Sequence, residues 1–86
     1  LEVIRLGAVI RNGKVNGKPI IRAWESFTGW YWLAVEKAEG DLYFGLTVGF
    51  YPEWGYFSAA ELATNKPMVW ELKKSVIELI EMEVKT

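Results

Sequence analysis

The chain contains no cysteine and no histidine, and these two absences exclude more chemistry than any of its motifs suggests. Without cysteine there is no disulfide framework, so packing or assembly must hold the fold together. Without both residues the commonest general base and the best nucleophile are missing. Zinc, copper and iron lose their usual ligands as well. Glutamine is also absent, and glutamate and lysine outnumber aspartate and arginine, a bias that matches hyperthermophile composition. No apolar run approaches the ~20 residues of a membrane span. No basic-then-apolar signal pattern opens the chain, and a cytoplasmic location is expected. No glycine-rich phosphate loop is present: Gly45 and Gly49 lie in a strand pattern with no helix after them. Metal and cofactor are therefore both expected to be none, and the chain is not expected to be an enzyme.

What remains is apolar and aromatic. The 86 residues (1–86) make one domain, because chains divide only well above ~150 residues. A domain this short buries roughly two-thirds of its unfolded surface, which leaves a marginal core. Yet 51% of residues are hydrophobic and 15% aromatic, an excess that must enter a dense core, a subunit interface or a binding face. The net charge of −1 gives no general pull toward nucleic acid or membrane. The charges are uneven, however. Residues 1–22 carry Arg5, Arg11, Lys14, Lys18 and Arg22 against Glu2, while Glu71, Glu78, Glu81 and Glu83 dominate residues 71–83. The first group is a candidate basic patch, and its bland alternative is a solvated face.

Residues 2–10 alternate in polarity as a strand does. Asn12-Gly13 and Asn16-Gly17 suit turns with positive φ. Residues 19–25 read as a returning strand, so residues 2–25 are expected to form a hairpin with a basic tip. A second hairpin joins residues 30–37 and 42–50 through a polar loop at 38–41. Pairing Lys37 with Leu42 sets Val35 against Phe44, Leu33 against Leu46 and Tyr31 against Val48 on a core face. The opposite face pairs Glu36 with Tyr43, Ala34 with Gly45, Trp32 with Thr47 and Trp30 with Gly49, where a ring can cover a bare glycine. Residues 51–57 read as a turn and a short extended piece. Ser58-Ala59-Ala60-Glu61 matches a capping box, in which the serine caps a helix and the glutamate reaches back. Pro67 suits the start of a second helix, and Val69, Leu72, Val76, Ile80 and Val84 recur at helical steps. Residues 79–84 also alternate as a strand would. The expected fold is α+β: a mostly antiparallel four-stranded sheet of two hairpins, then a short capped helix and a C-terminal helix packed on the sheet.

Catalytic candidates are thin. Ser26, Ser58 and Ser75 lack a partner base, and Ser58 is better explained as a cap. Glu53, between Pro52 and Trp54, is a carboxylate that aromatic neighbours could desolvate, against the simpler reading of a turn residue in water. The rings carry more weight. Trp30, Trp32, Tyr43 and Thr47 form a candidate contact face, open to three readings. It is core, or it is a dimer interface, or it stacks nucleobases or a planar ligand beside the basic hairpin.

The block running from Trp30-Tyr31-Trp32 through Leu42-Tyr43-Phe44-Gly45 continues as Gly49-Phe50-Tyr51-Pro52-Glu53-Trp54-Gly55-Tyr56-Phe57-Ser58 and Glu61-Leu62. It resembles a family of small uncharacterised proteins of plasmids, phages and other mobile elements, which share a Phe-Gly–Gly–Glu–Leu-Gly-Tyr-Phe-Ser pattern. The likeness covers about residues 30–62, with Trp54 standing where the pattern has an aliphatic residue. It implies a mobile-element or accessory context and gives no residue a catalytic role. The expectation is a non-enzymatic binding protein acting through protein–protein contact, as a homodimer or with another protein. The alternative is a sequence-tolerant binder of single-stranded nucleic acid.

Overall fold

Two Asn-Gly turns, spaced four residues apart, fold the N-terminal part of the chain back on itself twice. Asn12 and Gly13 (φ 55° and 72°) and Asn16 and Gly17 (φ 50° and 83°) all occupy the left-handed region, which tight two-residue hairpins require at both central positions. The computed structural model describes residues 7–85. In it these turns link β1 (Ala8–Arg11), β2 (Lys14–Val15) and β3 (Lys18–Pro19). Ile10 pairs with Val15, and Val15 with Lys18. Asn16 secures the arrangement, its Oδ1 accepting from the Val9 N–H at 2.8 Å.

The chain then crosses to a second sheet. It contains β4 (Arg22–Ser26), β5 (Tyr31–Lys37), β6 (Leu42–Val48) and β7 (Pro52–Ser58), followed by α1 (Ala59–Ala63) and β8 (Val69–Glu71). A single turn, α2 (Lys74–Ile77), leads to β9 (Met82–Val84). The strand orders are β3-β2-β1-β9 and β7-β6-β5-β4-β8, and every pairing is antiparallel. The protein is thus a mixed α+β fold of two antiparallel sheets with short helices. Among the described residues no helix is long and apolar enough to cross a membrane.

The expected hairpin over residues 2–25 is not formed; residues 2–6 lie outside the described residues. Each Asn-Gly pair makes its own reversal, which leaves β2 and β3 only two residues long. The returning segment becomes β4 and pairs with β5 instead. A five-stranded sheet therefore stands where four strands were expected.

The second hairpin keeps its expected register from Tyr31↔Val48 to Ala34↔Gly45. Val35 is then extra: a bulge shifts the pairing to Glu36↔Phe44 and Lys37↔Tyr43, one residue from the expected alignment. The bulge lets Ala34 and Val35 both be buried, and it moves Glu36 to the other face, 3.7 Å from Lys18.

The expected C-terminal helix is reduced to the single turn α2, and the end of the segment forms β9, the strand its alternation also allowed. Its apolar stripe is divided among three surroundings. Val69 packs beside α1, whereas Ile77 and Ile80 enter the core between the sheets. Met82 and Val84 follow the period of two, with Glu83 exposed between them. The free edges of β4 and β1 supply ladder partners that a solvent-facing helix could not use.

Two clusters hold the structure. Ala8, Ile10 and Val15 from one sheet meet Ala23, Leu33, Val35 and Leu46 from the other, closed by Ile77 and Ile80. On the far face of the larger sheet Trp24, Ala34, Tyr43 and Val69 pack beneath Leu62 of α1. Ser58 caps α1 as expected, accepting from the Glu61 N–H at 3.2 Å. The carboxylate that completes the cap comes from Asp41 in the β5–β6 turn. It accepts from Ser58 Oγ at 2.7 Å and from the Ala60 N–H at 2.9 Å, and those bonds hold it below the usual aspartate range.

Candidate functional site

Trp30, Trp32, Tyr43 and Thr47 share one face of the larger sheet, but at different depths. Tyr43 is buried, its ring 5.9 Å from that of Trp24, which in turn meets Phe57 edge-on at 5.7 Å. It belongs to the α1-covered core. Trp32 is half-buried against that cluster. Trp30 and Thr47 lie toward the opposite end of the sheet, outside it.

Trp30 is positioned by Gly49. A Cβ at Gly49 would fall 2.6–2.7 Å from the indole, so the ring occupies the space the glycine leaves. Trp32 flanks it at 6.1 Å and Phe50 meets it edge-on at 5.5 Å. With Thr47, Tyr51 and Glu53 these residues line an open recess of about 390 Å³. Phe50 and Tyr51 are 88% and 74% exposed, because the short β6–β7 connection carries them away from both cores. Glu53 is exposed at the same recess. Its carboxylate is open to solvent there rather than enclosed.

A second aromatic group lies along β7, an edge of the five-stranded sheet. Trp54 stacks on Phe44 at 5.9 Å with a 20° interplanar angle, and Tyr56 meets Phe44 edge-on at 5.2 Å. Phe44 and Trp54 also border a recess of about 280 Å³ shared with Gly7, Val15, Asn16 and Lys18. Tyr56 remains 69% exposed.

The basic residues do not converge. Arg5 lies outside the described residues. Arg11 and Lys14 face each other across the β1–β2 turn, and Lys18 is ion-paired with Glu36 at 3.7 Å. Arg22 belongs to the other sheet. It donates from Nε and Nη2 to the Glu71 carboxylate at 2.8 and 2.5 Å and from Nη1 to Tyr43 Oη at 2.9 Å. Its guanidinium also lies over the Trp24 and Tyr43 rings, 4.8 and 5.1 Å from their centroids. These bonds lower the Glu71 carboxyl below its usual range and raise the Arg22 guanidinium further. Arg22 thus ties β4 to β8 and covers the α1-side core.

Ser26 and Ser58 hold local structure, and Ser75 is exposed on α2. Ser26 Oγ is 2.7 Å from Thr28 Oγ1 and accepts from the Trp30 N–H at 3.1 Å, which fixes the β4–β5 turn. Nearby, Tyr31 Oη donates to Glu25 at 2.8 Å. Burial first, and that hydrogen bond second, raise the phenol above its ordinary value. Among the described residues no group of three or more acidic side chains could hold a metal ion.

Sequence reasoning placed Trp30 and Thr47 on one face but missed Phe50, Tyr51, Trp54 and Tyr56 as exposed rings. The available signal was alternation in Pro52–Ser58, which sets Trp54 and Tyr56 on one side of a strand. Comparison with known protein families, curated proteins and solved structures finds no match to this chain, so the resemblance of residues 30–62 to the mobile-element family rests on that sequence block alone.

Proposed function

We propose that this is a non-enzymatic binding protein that acts through protein–protein contact, and that it self-associates by antiparallel pairing of β7 with β7 of a second copy. The observation that carries the reading is the edge itself. β7 is seven residues long and outermost in its sheet, so among the described residues one row of its backbone N–H and C=O groups has no strand beside it. Such edges are templates for strand addition unless charge, proline or a covering segment blocks them.

The strand is also self-complementary. A two-fold axis at Gly55 sets Trp54 opposite Tyr56 of the copy, twice, on one face. Glu53, the one carboxylate in the strand, then meets Phe57 of the copy rather than its own equivalent. A Cβ at Gly55 would meet nothing within 4 Å among the described residues, so the sheet face at the centre of the strand is open. Each aromatic cross-strand pair contributes about 0.2–1 kcal/mol, and a net charge of −1 gives the copies little reason to repel. The contact surface thereby moves from the Trp30/Trp32/Tyr43 face, where Tyr43 is committed to core, to the edge beside it. The nucleic-acid alternative draws less support, since Lys18 and Arg22 lie in different sheets and each is bound to a carboxylate.

Light scattering across a concentration series tests the proposal. The chain should approach twice its monomer mass, and Tyr56→Lys, which places a charge on the edge, should return it to monomer. Phe27→Lys, exposed on the far side of the sheet, should leave the dimer intact. A Tyr56→Lys variant that keeps the dimer mass, or a wild type that stays monomeric throughout, overturns the β7 assignment. Tryptophan quenching by a single-stranded oligonucleotide at low salt, lost at high salt, would favour the alternative.

A further inference from the structure

The recess beside β7 has a chemical character independent of self-association. Its walls are Trp30, Phe50 and Tyr51, its polar groups are Thr47 and Glu53, and no lysine or arginine lines it. Among the described residues Glu53 forms no ion pair. Aromatic faces carry the negative part of the ring quadrupole, so rings around a carboxylate create a site that favours positive charge and disfavours anions. The volume of about 390 Å³ lies within the range of small-molecule sites, roughly 300–1,000 Å³. Trp30, the least exposed of the three rings, is held by Gly49, Trp32 and Phe50, so its face is set before any ligand arrives.

We propose that this recess binds a small organic cation, a quaternary or methylated ammonium group, with the charge against Trp30 and Phe50 and balanced by Glu53. A methylated ammonium suits the site better than a bare one. It sheds water more easily, and its methyl groups can lie on the rings while the charge stays near the carboxylate. A sugar would also stack on the rings, but it needs several hydrogen-bonding partners around its hydroxyls. The side-chain polar groups of the lining are the Thr47 and Tyr51 hydroxyls, the Trp30 indole N–H and the Glu53 carboxylate, and the carboxylate, its one charge, marks the site for a cation.

The test compares choline with its neutral carbon isostere, 3,3-dimethylbutan-1-ol, by two-dimensional NMR titration of the intact chain. Choline should shift the Trp30 indole and the amides of Phe50 and Glu53 saturably. At an exposed site the cationic contribution is worth about two- to fivefold per ring, so binding in the millimolar range is expected. With Trp30 and Phe50 both engaged, the isostere should bind roughly 4- to 25-fold more weakly, the margin that two such rings supply. Glu53→Gln should weaken choline and leave the isostere unchanged. Phe50→Ala should weaken choline without unfolding the domain, because that ring is exposed, and the dispersion of the remaining spectrum checks this. Equal affinity for choline and the isostere would reduce the recess to an apolar surface and overturn the proposal. So would the absence of saturable shifts at Trp30.

Discussion

Replacing Gly45 by alanine tests how closely the two central strands of the larger sheet approach. A Cβ at Gly45 would collide with the Leu33 carbonyl oxygen and lie 2.8 Å from Leu33 C and Ala34 Cα. All three are backbone atoms of β5, and none can rotate aside. Relief requires β5 and β6 to separate at the Ala34↔Gly45 pair, directly beside the bulge at Val35. Losing about two ladder hydrogen bonds there costs on the order of 1–3 kcal/mol, since the groups left behind are buried. The same separation loosens Leu33 and Leu46, both fully buried. Partial loss of their packing adds about 1–2 kcal/mol, less than a full leucine truncation. The sum, about 2–5 kcal/mol, is a large share of a small domain's typical stability of roughly 5–15 kcal/mol. Urea denaturation monitored by tryptophan fluorescence measures it directly. Gly55→Ala is the control: a Cβ there meets nothing within 4 Å, so that change should be neutral or stabilise by up to about 1 kcal/mol. A Gly45→Ala variant within about 0.5 kcal/mol of wild type, inside the ordinary range for surface changes, would refute the close-approach argument.

Other consequences concern charge and capping. Arg22→Ala should destabilise the domain by about 1–2 kcal/mol, from a bidentate pair discounted for its partial exposure plus lost stacking on Trp24. Arg22→Lys should recover little of that, because an ammonium can neither fork to Glu71 nor stack flat. Glu71 has a folded value below its unfolded one, so its contribution is complete above the ordinary carboxylate range. It disappears as pH falls through the lowered folded value. Acid titration of stability should therefore show a loss beginning below about pH 5, and the part due to Glu71 should be missing in Arg22→Ala. At the alkaline end the raised Tyr31 phenol stabilises below its unfolded value near 10 and loses that effect as pH climbs through the folded value, so Tyr31→Phe should flatten the decline. Ser58→Ala should cost about 0.5–2 kcal/mol, as loss of a helix cap does, and should show as faster amide exchange at Glu61.

The local features of the chain were legible wherever two neighbouring segments answer only to each other. Residues 30–37 and 42–50 are strand-like runs flanking a four-residue polar loop, so the hairpin and the pairing of residues 31–34 followed from an assumed register across that loop. Both Asn-Gly pairs signalled their turns, and Ser58 signalled its helix. Trp30 over Gly49 was also readable, as a ring opposite a missing side chain. The bulge at Val35 was not, because it depends on Val35 and Ala34 each finding a separate core, one on either face of the sheet. Nor was the Asp41 cap, whose partner lies 17 residues away in sequence. The recess escaped notice for a similar reason. Phe50, Tyr51 and Glu53 reach Trp30 only through the turn between β6 and β7, and nothing in their own spacing distinguishes them from loop residues.

By itself the sequence determined what the protein lacks and what its local units are: no thiol or imidazole chemistry, one aromatic-rich hairpin, two tight turns and one capped helix. These follow from residue chemistry and from periods of two or a single turn, which act over a few residues. Only the tertiary structure decided the fates of residues 19–25 and 69–84. Each carried an apolar pattern compatible with more than one element, and a three-residue strand such as Val69–Glu71 or Met82–Val84 has too few ladder bonds to form alone. The open edges of β4 and β1 supplied those bonds, and the two cores supplied the burial, so the outcome was fixed by partners distant in the chain.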